Sequence, residues 1–70
     1  MIIARWTSRS GKHNVALHHT EHGFKYVNES AGGYLAATEN DEAITELQAR
    51  IDSGYFQPDK NVTPMRRVYA

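Results

Sequence analysis

The spacing of apolar residues changes once along this chain of 70 residues. In the first half, apolar and polar residues alternate in short segments, and this period of two is typical of strands with one buried face. From about residue 40 onward, the apolar residues recur at helical spacing instead. The sequence therefore predicts a small α+β domain in which an antiparallel sheet carries one amphipathic helix on one face.

The predicted strands are short and are separated by turn residues such as glycine and serine. In the second strand, the alternation places Val15, Leu17 and His19 on one face of the sheet. His18 then points to the opposite face. The predicted strands cover residues 2–7, 13–20 and 24–29, and a further short strand covers residues 34–37 after the break formed by Ser30 to Gly33.

The helical segment carries capping signals at both ends. Thr38 or Asn40 can accept a hydrogen bond from the first turn of the helix, and Thr38 together with Asp41 fits a capping box. Gly54 stands where the glycine that follows a helix is expected. The sequence predicts a helix over about residues 40–53, with an apolar stripe formed by Ala43, Ile44, Leu47 and Ile51.

The C-terminal segment from Asn61 to Tyr69 is rich in β-forming residues but contains Pro64. Because proline has no N–H to donate, this strand is predicted either at an edge of the sheet or after the proline. The predicted order is β-β-β-(β)-α-β, with three to five strands in the sheet. The length of the chain fits one domain over residues 1–70.

The predicted core is thin for the size of the domain. Apolar residues make up 40% of the chain, but eight of them are alanines, which bury little area. The chain has no cysteine, so neither a disulfide nor a thiolate metal site can stabilise it. Small domains often gain stability from a partner or from a second copy. The sequence therefore favours partner binding and leaves a homodimer open.

No targeting or membrane segment is expected. No run of residues approaches the roughly 20 apolar residues that a membrane span needs. The apolar N-terminus is interrupted at Arg5, so it lacks the apolar centre of a signal peptide. We therefore expect a soluble cytoplasmic protein.

The net charge is zero, but the charges are unevenly distributed. Residues 1–20 carry three cations and no acid, residues 21–59 carry all eight acids and two cations, and residues 60–70 carry three cations. If the first and last strands are neighbours, the domain has a basic region and an acidic helix; the alternative is an ordinary solvated surface. The hypothesised partner-binding residues are Glu42, Glu46 and Asp52 on the helix, or Arg5, Arg9, Arg66 and Arg67 in the basic region.

The sequence does not predict an enzyme or a cofactor. No serine lies in a nucleophile-elbow motif, and Gly32-Gly33 lacks the lysine and the spacing of a phosphate-binding loop. A chain of this length also leaves little room for a closed pocket that excludes water. The expected function is binding rather than catalysis.

Four histidines draw attention because three of them, His18, His19 and His22, are close in sequence and His13 is nearby. Structural zinc sites use paired ligand spacings, and this cluster lacks a second pair. Adjacent strand residues also face opposite sides, which separates His18 from His19. The sequence therefore predicts no metal site. The other interpretation of these histidines is that they belong to a hairpin and form part of a pH-sensitive interface.

Nucleic-acid binding is the alternative to protein binding. Cations interleaved with aromatic residues on a sheet can bind phosphates and stack on bases. The isoelectric point of about 6.9 and the eight acids oppose a general affinity for polyanions, and a simpler interpretation of Trp6 and Tyr69 is that they belong to the core. The residues that would form such a surface are Arg5, Trp6, Arg9, Lys12, Arg66, Arg67 and Tyr69.

Two segments resemble a known class of proteins. Ala37 to Leu47, followed by Val62 to Val68, is similar to the helix and last strand of the small RNA-polymerase inhibitors made by lytic phages. The resemblance implies a strand-strand-helix-strand order and a polymerase-contacting terminal strand, to which Arg66 and Arg67 would correspond. Gly33 to Ile51 is also similar to antitoxin domains with a partial RNase-H-like fold. This chain departs from the phage inhibitors in its longer strand region and its histidine-rich hairpin.

Phage inhibitors of host defence, anti-CRISPR proteins included, share this size and build. The combination of a thin core, segregated charges and exposed sheet edges predicts a non-enzymatic protein-binding module. The expected mode of action is inhibition by occluding a surface of a larger host protein or nucleoprotein machine.

Overall fold

The computed structural model of the chain describes residues 1–29, 31–56 and 65–68. The element order and the α+β class agree with the prediction from the sequence. The elements are strands β1 (Ile2–Thr7), β2 (Asn14–Thr20), β3 (Gly23–Asn28) and β4 (Gly32–Tyr34), helix α1 (Asn40–Asp52) and strand β5 (Arg66–Val68).

All five strands form one antiparallel sheet in the order β4-β3-β2-β1-β5. The first and last strands are therefore neighbours, which is the arrangement that a single basic region requires. Strand β5 lies at an edge and begins after Pro64, as the missing N–H of proline predicts. Strands β4 and β5 are the two edges of the sheet.

The core lies between α1 and one face of the sheet. Alternation along β1, β2 and β3 turns every second side chain toward the helix, and these side chains are buried. The helix contributes the residues of its apolar stripe. The buried apolar residues are Ala4, Trp6, Val15, Leu17, Phe24, Tyr26, Leu35, Ala43, Leu47, Ile51 and Met65. In the part of the chain that the structure describes, no helix is long and apolar enough to cross a membrane.

A hydrogen bond fixes the helix to strand β1 of the sheet. Trp6 is 1% exposed, and its indole Nε1–H donates to Oε1 of Gln48 at 2.7 Å. Gln48 lies on the flank of α1, so the bond joins the second half of the helix to β1. A buried indole N–H needs such an acceptor, because burying an unpaired donor costs free energy.

The C-terminus of the helix is built as the sequence predicts. Gly54 has a φ of +85°, which glycine adopts without strain. Its N–H donates to the carbonyl of Ile51 at 3.0 Å, and the N–H of Tyr55 donates to the carbonyl of Arg50 at 3.1 Å. This pair of bonds is a Schellman motif, and it stops the helix after Asp52.

The predicted cap at the other end of the helix is wrong. The capping residue is Glu39, which is extended, and its side chain makes no capping bond. Thr38 precedes the capping position and Asn40 is already helical, so neither can cap the first turn. Asp41 and Glu42 lie in that turn, where their charges interact favourably with the helix dipole.

Strand β4 also differs from its prediction over residues 34–37. Asn28 and Ala31 exchange backbone hydrogen bonds of 2.8 and 3.3 Å, so pairing with β3 resumes at once, and β4 spans Gly32–Tyr34. Gly33 can belong to the strand because the Tyr26 ring packs over its backbone. A Cβ atom at Gly33 would come within 2.9 Å of the Tyr26 hydroxyl oxygen. The two glycines, which predict a break in the sheet, are thus part of a strand in which the backbone approaches an aromatic ring closely.

An aromatic cluster joins the segment after the helix to β3. The Phe56 ring lies 5.4 Å from the Tyr26 ring and 4.8 Å from the Tyr55 ring, both edge to face. The Arg50 guanidinium lies 5.6 Å from the centres of the two tyrosine rings. A hydrogen bond with Tyr55, together with burial, raises the pKa of Tyr26. The cluster closes the core beyond the end of α1.

Replacing Gln48 by leucine should destabilise the fold. The Gln48→Leu change leaves the buried Trp6 N–H without its acceptor, and we expect a loss of about 1–3 kcal/mol in the free energy of unfolding. Urea denaturation followed by far-ultraviolet circular dichroism measures this loss. Asp52→Ala is the matched control, since it removes the other contact of Gln48, an exposed hydrogen bond of 2.9 Å, and should change stability by less than about 0.5 kcal/mol. Equal stability of the Gln48→Leu variant and the wild type would contradict the assigned role of the bond.

Candidate functional site

The sheet has a second face, and no described element packs against it. We call this surface the open face. Because directly opposed residues in antiparallel strands share a face, the strand pairing identifies its members. They are Ile2, Arg5, Thr7, Asn14, Ala16, His18, Thr20, Gly23, Lys25, Val27, Gly32, Tyr34, Arg66 and Val68.

The charged strand residues of the open face are all basic. Arg5, Lys25 and Arg66 come from β1, β3 and β5, and no strand residue that we assign to this face is an acid. Arg5 and Arg66 are exposed and form no ion pair with any described residue. The Lys25 Nζ lies 5.9 Å from the centre of the Tyr34 ring. The face thus presents guanidinium groups whose donors are available to a partner.

The open face also carries apolar surface. Ile2, Val27 and Tyr34 are 39%, 40% and 52% exposed, so much of the exposed large apolar surface of the described residues lies here. Ala16 is small and sits between the larger side chains of Arg5 and Val27. A shallow depression of about 220 Å³ lies over it. The face is therefore a mixture of cations and apolar side chains around a central hollow.

Glu29 borders the depression, and its carboxylate is already engaged. The Asn14 N–H donates to Oε2 at 2.9 Å, and the His13 Nδ1 lies 2.7 Å from Oε1. The Asn14 hydrogen bond is the main cause that lowers the pKa of Glu29; partial burial opposes this shift, and the His13 hydrogen bond adds to it. Glu29 is consequently a structural link between β2 and the end of β3.

The hypothesised acidic residues lie on the other side of the molecule. Glu42 and Asp52 are exposed, and Glu46 is half-buried on the solvent side of α1. Glu46 faces Arg50 at 3.5 Å, and Asp52 accepts a hydrogen bond from Gln48 at 2.9 Å. Of the described large apolar residues near this surface, Ile44 packs against the core, and the exposed Tyr55 lies beyond the end of α1, beside Arg50. The helix surface therefore lacks the apolar centre that the open face has.

The structure places the hypothesised basic residues in three different locations. Arg5 and Arg66 lie on the open face as diagonal neighbours on paired strands. Arg67 opposes Trp6 and so belongs to the helix side of the sheet, although it is exposed at the edge. Arg9 lies in the turn that follows β1. Arg66 and Arg67 therefore do not act as one pair, because adjacent strand residues point to opposite faces.

Sequence reasoning missed Lys25, Val27 and Tyr34. The alternation in β3 was the signal for the first two, since it sets Lys25 and Val27 opposite to the buried Phe24. For Tyr34, the predicted β4 begins two residues too late and so gives this residue a different strand position. Its neighbour across the strands is Lys25, which places its ring on the open face.

The four histidines are distributed over separate places. His13 contacts Glu29, and His22 lies 3.5 Å from Glu21 in the β2–β3 turn. His18 lies on the open face, whereas His19 stacks on Phe24 on the opposite face, with ring centres 4.5 Å apart. The predicted separation of His18 from His19 is confirmed. Within the described ranges, no group of three or more histidine, aspartate or glutamate side chains is placed to hold one metal ion.

Of the aromatic residues considered for stacking on bases, Trp6 is buried against the helix, which confirms its interpretation as a core residue. Tyr69 lies outside the described residues. The exposed aromatic ring of the open face is instead Tyr34.

No protein-family model, curated protein or solved structure matches this chain. The similarity of residues 37–47 and 62–68 to phage inhibitors of RNA polymerase therefore stays a prediction. The argument for a function depends on the surface that the chain itself presents.

The pKa of Glu29 predicts how stability depends on pH. Because the folded state lowers this pKa below the ordinary value of 4.5, the carboxylate stabilises the fold above that pH, and this contribution is lost as the pH falls through the folded pKa. Glu29→Gln should remove this contribution, so the stability of the variant should fall less steeply below pH 4.5 than that of the wild type. Thermal unfolding at a series of pH values measures the difference. Glu21→Gln, which removes one carboxylate from the exposed β2–β3 turn, is the matched control; a Glu29→Gln curve parallel to the wild type would refute the assignment.

Proposed function

We propose that the chain is a non-enzymatic protein-binding module that docks its open face on an acidic surface of a larger protein. It acts by occluding the surface that it covers. The observation that carries this proposal is one face that combines Arg5 and Arg66, which form no ion pair with any described residue, with exposed Ile2, Val27 and Tyr34.

The composition of the open face fits that of protein interfaces. Arginine and tyrosine are enriched in interfaces, and binding energy concentrates on such residues around an apolar centre. A guanidinium group can bind a carboxylate through two parallel hydrogen bonds. Arg5, beside the apolar wall of the depression, is placed to bind an aspartate or glutamate side chain of the partner.

The size of the domain favours the use of the whole face. A specific interface of standard size buries about 800 Å² on each partner. The surface area of this chain is 4803 Å², so such an interface needs about one sixth of it. A surface of that extent matches one side of the sheet rather than a single loop. A domain that binds through one entire face covers the surface of its partner, which fits occlusion rather than catalysis.

The charge distribution supports the orientation of docking. The acids of α1 lie on the side of the sheet opposite to the open face, so an acidic partner repels one side of the molecule and attracts the other. This asymmetry gives a faster and more selective encounter rather than a higher affinity by itself. It also favours the open face over the helix surface as the docking site.

The surroundings of the depression support a non-enzymatic role. It is open and shallow, and the carboxylate at its border, Glu29, is held by Asn14 and His13. General acid–base catalysis needs a group that is free to exchange a proton with a substrate. The Glu29 carboxylate is instead bonded to Asn14 and His13, so it links β2 to the end of β3.

Single-stranded nucleic acid is the second candidate partner, and one observation favours it. The Tyr34 ring is exposed beside Lys25, at 5.9 Å from its Nζ, and a base could stack on this ring while cations bind the phosphates. Protein binding is the better supported proposal because the open face has one exposed aromatic ring among the described residues. Single-stranded binding surfaces combine several.

Charge reversal on the open face should abolish partner capture. We expect the Arg5→Glu/Arg66→Glu double variant to bind the captured partner at least about tenfold more weakly, since both guanidinium groups become repulsive carboxylates. The measurement is capture from nuclease-treated lysate of the source cells, followed by titration of the captured protein. Arg9→Glu/Lys12→Glu is the matched control, because it changes the net charge equally in the exposed turn after β1.

The outcomes separate the candidates. A partner lost with the open-face variant and kept with the turn variant supports the proposal. A partner lost only with Glu42→Lys/Glu46→Lys would move the site to the helix and contradict docking through the open face. Loss of capture on nuclease treatment, together with binding of a labelled oligonucleotide that weakens steeply with salt, would favour nucleic acid instead.

A further inference from the structure

Strand β4 has an unpaired outer edge. Ala31 and Leu35 both donate their N–H groups inward to β3, at 3.3 and 2.8 Å. Because hydrogen-bonded positions alternate along an antiparallel strand, Gly33 also pairs inward, with Tyr26. The backbone N–H and C=O groups of Gly32 and Tyr34 therefore point away from the sheet. Nothing in the part of the chain that the structure describes pairs with them.

The two edges of the sheet differ in how they resist pairing. Natural sheets protect their edges with charged residues, prolines or bulges. Strand β5 carries Arg66 and Arg67, and Pro64 precedes it. Strand β4, with the sequence Gly32-Gly33-Tyr34, has no charge, proline or bulge, and its one protection is the short length of three residues that it shares with β5. The edge formed by β4 is therefore open to another strand.

We propose that β4 pairs with β4 of a second copy of this chain, in antiparallel orientation about a two-fold axis at Gly33. In this register Gly32 of each copy lies opposite Tyr34 of the other. These are the two residues whose backbone groups point outward, so each pair exchanges both of its backbone hydrogen bonds. The edge is self-complementary because Gly32 and Tyr34 are equally spaced on either side of Gly33.

The side chains fit the same register. Within one chain, the Tyr26 ring covers Gly33, its direct neighbour across the strands, so closely that a Cβ atom would approach its Cζ to 3.1 Å. In the pair of copies, the Tyr34 ring would cover Gly32 of the second copy in the same way. An aromatic ring placed over a cross-strand glycine stabilises sheets. A charged or β-branched residue at position 32 would leave no room for the Tyr34 ring of the second copy, whereas Gly32 leaves that room.

Pairing through β4 leaves the open face uncovered, with the Tyr34 ring of each copy lying over Gly32 of the other. A two-fold axis perpendicular to the sheet keeps the same face of both copies on the same side. The result is one ten-stranded sheet whose open faces are continuous and whose helices lie together on the other side. Two linked copies of a binding surface engage a repeated acidic partner more tightly than one. The pairing itself does not depend on the proposed function.

The paired segment is short, since β4 has three residues. A contact of this size falls in the range of weak and transient interfaces. The association should therefore be reversible and should rise with concentration between the micromolar and millimolar range. This expectation determines the design of the test.

The test combines sedimentation with amide hydrogen exchange on the full chain. With rising concentration, we expect the average mass to rise toward that of two chains. The amides of Gly32 and Tyr34 should then exchange more slowly, while the amide of Gly33 is already protected at low concentration. A constant mass of one chain would overturn the proposal. A doubled mass with rapid exchange at Gly32 and Tyr34 would also overturn it, because it would place the dimer contact elsewhere.

A matched pair of variants at Tyr34 tests the backbone contact. Tyr34→Pro removes an N–H that bonds to no described residue, and proline is tolerated on an edge strand when its N–H side faces solvent. This variant should keep its fold and stay at the mass of one chain at all concentrations. Tyr34→Phe keeps both the ring and the N–H and should associate like the wild type. Association of the Tyr34→Pro variant to the wild-type extent would contradict the pairing; the exchange experiment on the wild type needs no variant and decides the question if the proline variant does not fold.

Discussion

The structure depends on burial of one side of a sheet by one helix. A strand alternates its side chains between two faces, so a five-stranded sheet needs two covering layers to bury both. The described chain supplies one, α1, and the Trp6–Gln48 hydrogen bond fixes that helix over β1. The other face of the sheet stays exposed because no second layer of the described chain covers it. The same alternation that buries Trp6 and Leu17 exposes Arg5 and places the half-buried His18 on the open face. A thin core and an uncovered face are thus two results of one arrangement.

Local patterns predicted the parts of the fold that depend on local physics. The alternation of Val15 and Leu17 with their neighbours assigned the correct faces in β2, and the stripe of Leu47 and Ile51 assigned the buried side of α1. Gly54 marked the end of the helix, because its positive φ is a property of the residue itself. These features require no knowledge of which elements meet.

The parts that failed depend on contacts between distant segments. Gly32 and Gly33 read as a break, and only the Tyr26 ring that packs over Gly33 explains why they form a strand. The capping prediction failed by one residue, because the path of the chain before the helix places Glu39 at the cap. The candidate site was the hardest part. The surface formed by Lys25, Val27 and Tyr34 can be recognised only when the strand order and the face that the helix covers are known. The periodicity of a single segment determines neither of them.

The single tryptophan of the chain has a consequence for experiments in solution. Its indole is buried on the helix side of the sheet and bonded to α1, so its fluorescence reports the contact between helix and sheet. The open face lies on the other side of the same strands, and the aromatic ring exposed there is that of Tyr34, one of four tyrosines of the chain. Emission from Trp6 should therefore follow unfolding while remaining nearly silent to a ligand on the open face. One spectrum can then distinguish a bound domain from a destabilised one without any added label.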